Sequence, residues 1–317
     1  MTALLLLSFA LLAGFVAPGA LRRARWVYQA PLLGIVAWYA VLVATTTAVA
    51  AAIASLLVPG RWAEAPACLA WRWCLQAVRG EHGVLGQLTA VAVVAVTTLL
   101  AVRLVGSAVR LVRGLVRQRR EHLRLLRLTG SERPELGAVV VPSPEAAAYM
   151  LAGRHRRVVV TTGAIACLSR EELVAVLAHE RAHAAGRHDV LVNAVRLLHD
   201  AFPALPLFAV ATQQLVRLVE MRADEVAARQ HRPLSLARAL VAMADAGGAD
   251  VPAGAVPAAG GDAVARLNRL LDPPERLSFL RRFLIGGCAL AVVMMPIMVL
   301  FASWFVSAQA LCLLLPT

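Results

Sequence analysis

The chain has 317 residues, 60% of them hydrophobic, and its 32 basic and 19 acidic side chains give a formal net charge of +13. A soluble domain is closer to half apolar, so this excess excludes an ordinary soluble protein and needs a bilayer or an unusually large core. There is no lysine, and the arginines gather at the ends of apolar segments, where anionic lipid accounts for them. That placement argues against direct nucleic-acid binding.

The first apolar segment, Ala3 to Val16, extends to Ala20 and is marginal for a span; Pro31 to Val58 and Val84 to Val102 are uncharged and long enough outright. Spans are therefore expected at about 3–20, 31–58 and 84–105, which makes residues 1–110 a three-helix membrane region. A cleaved signal peptide is the alternative for the first segment, but it lacks the positive leading region such a peptide needs. Arg22, Arg23 and Arg25 follow the first span, and Arg103, Arg110, Arg113, Arg117, Arg119, Arg120, Arg124 and Arg127 follow the third. Arg276, Arg281 and Arg282 precede a fourth apolar segment, which is uncharged from Phe283 to Pro316. The positive-inside bias then predicts a multi-pass protein of the cytoplasmic membrane, with both termini outside and the region between spans three and four in the cytoplasm. Cys68 and Cys74 share the predicted external loop, which leaves open whether they form an oxidised pair.

Residues 103–128 repeat leucine and valine at helical spacing among arginines and read as a helix leaving the membrane along its surface. Two β-branched runs, Val139–Val141 and Val158–Thr162, separated by Pro142, Pro144 and Gly153, predict a small sheet or hairpin. Ser169 with Glu172 three residues on is a capping box that starts a helix near Arg170; it runs to about Gly186. The apolar stretch 197–215, interrupted by Pro203 and Pro206, reads as a helical hairpin in the domain or dipping into the interface rather than a fifth span. A helix from about Gln213 to Gln230 follows, then a Gly- and Ala-rich flexible loop over 245–263 and a short helix that Pro273 and Pro274 terminate. The fold class is thus a mainly α membrane protein with about four transmembrane helices; residues 111–282 form a domain inserted between the third and fourth, and 283–317 hold the fourth span and a short external tail.

Chemistry concentrates in "VLAHERAHAAGRHD", Val176 to Asp189. His179 and His183 are i and i+4, so both imidazoles leave one face of the helix, as two ligands of a tetrahedral zinc do. Glu180 lies beside them, where its carboxylate can take a proton from a zinc-activated water and pass it to the leaving amine. Two histidines on an amphipathic surface helix are the alternative. The apolar surroundings (Leu173, Val174, Val176, Leu177, Ala178, Ala182) make that costly, because buried titratable groups need partners. A third ligand is expected from "VEMRADEVAARQ", where Glu220 and Asp224 are again i and i+4. Glu220 can bind the metal while Asp224 accepts the N–H of a ligand histidine.

These stretches, with "ARLNRLLDPPER", resemble the integral-membrane gluzincin zinc metallopeptidases, a set that includes the HtpX and CAAX-protease group and the BlaR/MecR antirepressor group. The proline-led apolar run into Glu220 and the layout of spans are closer to the BlaR/MecR side, without its C-terminal sensor domain, so β-lactam sensing is not expected of this polypeptide. The resemblance implies a cytoplasmic α+β zincin-like domain with one Zn2+ on His179, His183 and Glu220, Glu180 as general base, Asp224 beside a ligand histidine, and Asp189 as a structural acid after the active-site helix. It also implies a substrate chain adding as a strand along Arg157–Thr162, with Val158, Val159 and Val160 as its binding residues. No motif fixes the oxyanion stabiliser; His231 and Arg232 are candidates, and Tyr149 is a weaker one. The function implied is a membrane-bound zinc metalloendopeptidase acting on a protein substrate, possible substrates including a winged-helix transcriptional repressor. Housekeeping cleavage of damaged membrane proteins and a silent scaffold are the alternatives; the presence of Glu180 argues against the scaffold.

Overall fold

The computed structural model describes residues 2–57, 83–151, 157–246 and 261–314. Cys68, Cys74 and most of the Gly/Ala-rich loop lie outside the described residues.

The chain begins with α1 (Thr2–Phe15) and α2 (Ala17–Arg23), parted near Pro18, and a short α3 (Arg25–Gln29) leads into α4 (Pro31–Leu57). A single helix, α5 (Gly83–Thr129), then runs without interruption through the boundary expected near residue 110. Alternating arginines and aliphatics keep it helical after the apolar stretch ends. The last helix, α12 (Phe279–Leu314), contains Pro296. Four helical stretches are long and apolar enough to cross a membrane: Thr2–Arg23, Pro31–Leu56, Val91–Thr129 and Phe279–Ala302. Pro31–Leu56 is the most buried of them, because α1 and α12 both pack on α4.

The domain between α5 and α12 opens with β1 (Ser131–Arg133), β2 (Ala138–Val141), β3 (Ala148–Leu151) and β4 (Arg157–Thr161). Their order is β1-β2-β4-β3, with β2 and β4 parallel and the other pairs antiparallel. The two β-branched runs are therefore parallel neighbours and not the arms of a hairpin. The less obvious Ala-Tyr-Met-Leu strand β3 fills the other side of β4, and the proposed substrate strand is corrected accordingly. Val159 and Val160 are paired on both sides, Val158 is paired with β3, and all three are buried, so β4 lies between two strands and offers no free edge to a substrate chain; among the described residues the open edge on this side is β3.

After the sheet come α6 (Thr162–Cys167), α7 (Arg170–Gly186), α8 (His188–Ala201), α9 (Pro206–Gln230), α10 (Pro233–Asp245) and α11 (Gly261–Leu271). The capping box forms as its spacing predicts: Ser169 Oγ accepts from the Glu172 amide, and Glu172 accepts from the Ser169 amide at 2.9 Å. The second arm expected within 197–215 and the helix expected from about Gln213 to Gln230 are one continuous helix from Pro206. Proline at the first helical turn sacrifices no bond there, and nothing between Pro206 and Gln230 breaks the ladder.

Two apolar cores meet along α9. One joins Val140, Val158 and Val160 of the sheet to Leu173, Val176 and Leu177 of α7, Leu236 of α10 and Leu270 of α11. The other joins Ile35, Trp38, Val41 and Leu42 of α4 to Val192 and Val195 of α8 and to Phe208, Leu215 and Leu218 of α9. The α8–α9 hairpin thus lies against the first half of a span. A Cβ added at Gly34 would come within 2.7 Å of the Val27 carbonyl and 3.2 Å of Leu218 Cδ1, so only glycine permits this approach. Tyr39 on α4 donates its hydroxyl to the Leu191 carbonyl, and Arg103 on α5 donates Nε to the carbonyl of Ala201 at 3.1 Å, satisfying an orphan acceptor at the end of α8.

Ser169→Ala removes one half of the capping box on an exposed helix start. It is expected to cost about 1 kcal/mol of domain stability, read as a lowered thermal unfolding midpoint in detergent.

Candidate metal centre

The functional residues come from two helices that cross inside the domain. From α7, the i and i+4 spacing brings His179 and His183 to one face; from α9, the same spacing brings Glu220 and Asp224 to meet them, and all four are buried. Ligand atoms of His179, His183 and Glu220 lie within 4.8 Å of one another. His183 Nε2 is 3.1 Å from His179 Nε2 and 3.2 Å from Glu220 Oε1; His179 Nε2 is 3.5 Å from Glu220 Oε2.

The outward nitrogens of both rings are engaged elsewhere. His179 Nδ1 lies 3.0 Å from Asp224 Oδ1, the contact expected of Asp224. His183 Nδ1 lies 2.9 Å from Nδ1 of His188, a residue the sequence reading passed over in favour of its neighbour Asp189. Asp189 sits half-buried in the first turn of α8. The turn explains the exchange. Arg187 takes a left-handed conformation (φ 50°), so α8 starts at once and folds the His188 ring back over the end of α7. A Cβ at Gly186 would collide with that ring, so the Gly-Arg-His sequence is what seats His188 on His183.

Proton positions follow from the partners. Burial pushes the His179 imidazolium down, but the carboxylates of Asp224 and Glu220 outweigh it and raise the ring to about 10. Burial beside His183 pushes His188 down to about 3, so it is neutral. His179 Nδ1 faces Asp224 Oδ1, His179 Nε2 faces His183 Nε2, and His183 Nδ1 faces His188 Nδ1, with the donor in each ring pair set by the tautomer. Two ring nitrogens 3.1 Å apart need a proton or a cation between them, and the donor set of two imidazoles and a carboxylate is one that zinc takes. The residues present therefore fit such an ion.

Burial would raise the carboxyl of Glu220, but His179, His183 and Arg266 beside it hold it well below the usual range, so it is an anion. Glu180, half-buried, is pushed up by burial and partly drawn back by the two histidines. It feels the charges of His179, His183, Glu220 and Arg266 and is not one of the three clustered ligand groups. The sequence reading also missed Arg266 of α11, fully buried against Glu220 and Asp224. Only the amphipathic pattern of α11, with an arginine on its apolar face, could have flagged it.

The oxyanion candidates are not brought to this cluster. His231 and Arg232 lie between α9 and α10, eleven and twelve residues after Glu220, which at 1.5 Å per residue is about 16 Å along the helix. Tyr149 on β3 is occupied by His122 Nε2 at 2.5 Å, and burial raises its hydroxyl to about 12.

Two crossing helices thus present a buried His-His-Glu cluster that could hold a metal ion, with Glu180 beside it. Residues 116–258 match the sequence model of peptidase family M48, a zincin-type family of metal-dependent peptidases. That region is similar to the peptidases of this family. Comparison with curated proteins and with solved structures gives no match.

The carboxylates of Asp224 and Glu220 favour the charged form of His179, so a zinc ion binding through that ring would displace a proton. Calorimetry in buffers of different ionisation enthalpy is expected to show about one proton released per metal bound, and affinity should fall as pH is lowered. Separately, His188→Ala and Gly186→Ala are each expected to weaken zinc binding about 10- to 100-fold, as loss of a partner to a ligand histidine does; competition with a chromophoric chelator measures it.

Proposed function

We propose that this chain is a membrane-bound zinc metalloendopeptidase whose catalytic domain faces the cytoplasm. The observation that supports it most is the convergence of His179 Nε2, His183 Nε2 and Glu220 within 4.8 Å, inside the region that matches a metallopeptidase family. His179, His183 and Glu220 would hold the ion, and Asp224 and His188 would keep both Nε2 atoms turned toward it. Bound zinc supplies the Lewis acidity that makes water nucleophilic at neutral pH and polarises the scissile carbonyl. Glu180 takes the proton from the attacking water and delivers it to the nitrogen of the leaving amine. Its raised pKa suits it to both transfers.

The substrate is a protein or peptide. The open edge of β3, packed against α7, offers backbone pairing with little side-chain selectivity and takes the place first assigned to β4. The arginines flanking the four apolar helices support a cytoplasmic domain between external termini, in a lipid bilayer. The resemblance to the BlaR/MecR group supports regulatory proteolysis, with a winged-helix repressor as the substrate class; housekeeping cleavage of membrane proteins is the rival outcome of the same test.

Glu180→Gln leaves every proposed ligand in place. It is expected to keep zinc, to lose cleavage by at least about 100-fold, and to retain substrate in membranes for identification by mass spectrometry. A repressor among the trapped proteins supports the regulatory role, and a broad set of membrane proteins supports housekeeping. Cleavage at the wild-type rate would sink the enzyme reading.

A further inference from the structure

Arg266 is among the largest fully buried side chains, with 1% of its surface exposed. Burying a permanent cation costs several kcal/mol unless its surroundings return it, so its partners matter. Nε and Nη2 donate to Asp224 Oδ2 and Oδ1, both at 2.7 Å, a two-pronged pairing; Nη1 lies 2.9 Å from Glu220 Oε2. One guanidinium thus spans two carboxylates a helical turn apart on α9.

We infer that Arg266 is the positioning residue of this metal centre: it holds Glu220 by one oxygen so that only the other is offered to the ion, and it fixes Asp224 as the acceptor for His179. The inference rests on the metallopeptidase reading of the site. Glu220 Oε2 lies 2.9 Å from Arg266 Nη1 and 3.5 Å from His179 Nε2, whereas Oε1 is the oxygen nearer the histidine pair, 3.2 Å from His183 Nε2. A carboxylate without such a partner is free to chelate through both oxygens and to fill the position water needs. Asp224 Oδ1 is shared between Arg266 Nη2 and the neighbourhood of His179 Nδ1, so the guanidinium sets the aspartate and the aspartate sets the imidazole. Charge points the same way. Glu180, Glu220 and Asp224 against a divalent cation leave one negative charge in a buried site, and Arg266 cancels it.

Arg266 also stands outside the matched region, which ends at residue 258. It is delivered by α11, whose next turn is clamped independently. Arg269 Nη2 donates to Glu225 Oε1 at 2.7 Å and to the Gln29 carbonyl at 3.3 Å, and Nη1 donates to the Tyr28 carbonyl. The helix bearing the positioning residue is thereby tied both to α9 and to the connection between the first two apolar helices.

The test uses the full-length protein in detergent, loaded with Zn2+ or Co2+, with helical content and melting followed in parallel. Wild type is expected to give the intense visible bands of four-coordinate cobalt. Arg266→Leu should raise the zinc dissociation constant at least about 10-fold and weaken those bands toward the five-coordinate pattern as Glu220 becomes bidentate. Arg266→Lys keeps the charge without the fork, so it should recover part of the affinity but not the spectrum. A folded Arg266→Leu protein with wild-type bands and a dissociation constant within about twofold overturns the inference. If that variant does not fold, an unaltered cobalt spectrum in Arg266→Lys overturns it instead. Failure of wild type to bind either ion overturns the reading of the site itself, and the role of Arg266 with it.

Discussion

The contact on which the rest of the structure depends is the one between the carboxylates of α9 and the imidazoles of α7. Four titratable side chains are buried there, and each would be costly alone. Together they satisfy one another. Asp224 and Glu220 keep His179 protonated when no metal is present, and the histidines with Arg266 keep both carboxylates ionised. That mutual dependence is a specificity device as much as a source of stability. A register slip of one turn on either helix would strand buried charges, so the crossing of α7 and α9 has one acceptable arrangement.

α9 carries a second constraint. Its first half packs on α4 through Phe208, Leu215 and Leu218, and its second half carries Glu220 and Asp224 into the domain. A rigid helix cannot serve both contacts unless the domain is held at a fixed height against the spans. The close approach at Gly34, the Tyr39 bond to the α8 backbone and the Arg269 clamp on the α3 connection all fix the same relation. The apolar helices and the domain that carries the His-His-Glu cluster are joined through α9 and α11, and Glu220 sits at the joint.

What was legible in the sequence was what is local. The start of α7 follows from Ser169 and Glu172, and the shared face of His179 and His183 follows from helical spacing alone. Glu220 and Asp224 could be read because their spacing repeats that geometry on a second helix, and a histidine pair needs a third ligand. His188 escaped because its role depends on one left-handed residue, Arg187, which turns the chain back; periodicity does not record such a turn. Arg266 escaped for a different reason. Its partner Asp224 is 42 residues away, and in a chain so rich in arginine no single one stands out. The sheet was half legible: β-branched runs named β2 and β4, but strand order depends on β3, whose Ala-Tyr-Met-Leu composition has little strand signal. The free edge was therefore assigned to the wrong strand.

The height of the site follows from the same geometry. Leu218 packs beside Gly34, three residues into α4, and Glu220 is two residues beyond Leu218 on α9. If α4 enters the bilayer near Pro31, the His-His-Glu cluster lies within about one helical turn, roughly 5 Å, of the level where that helix begins.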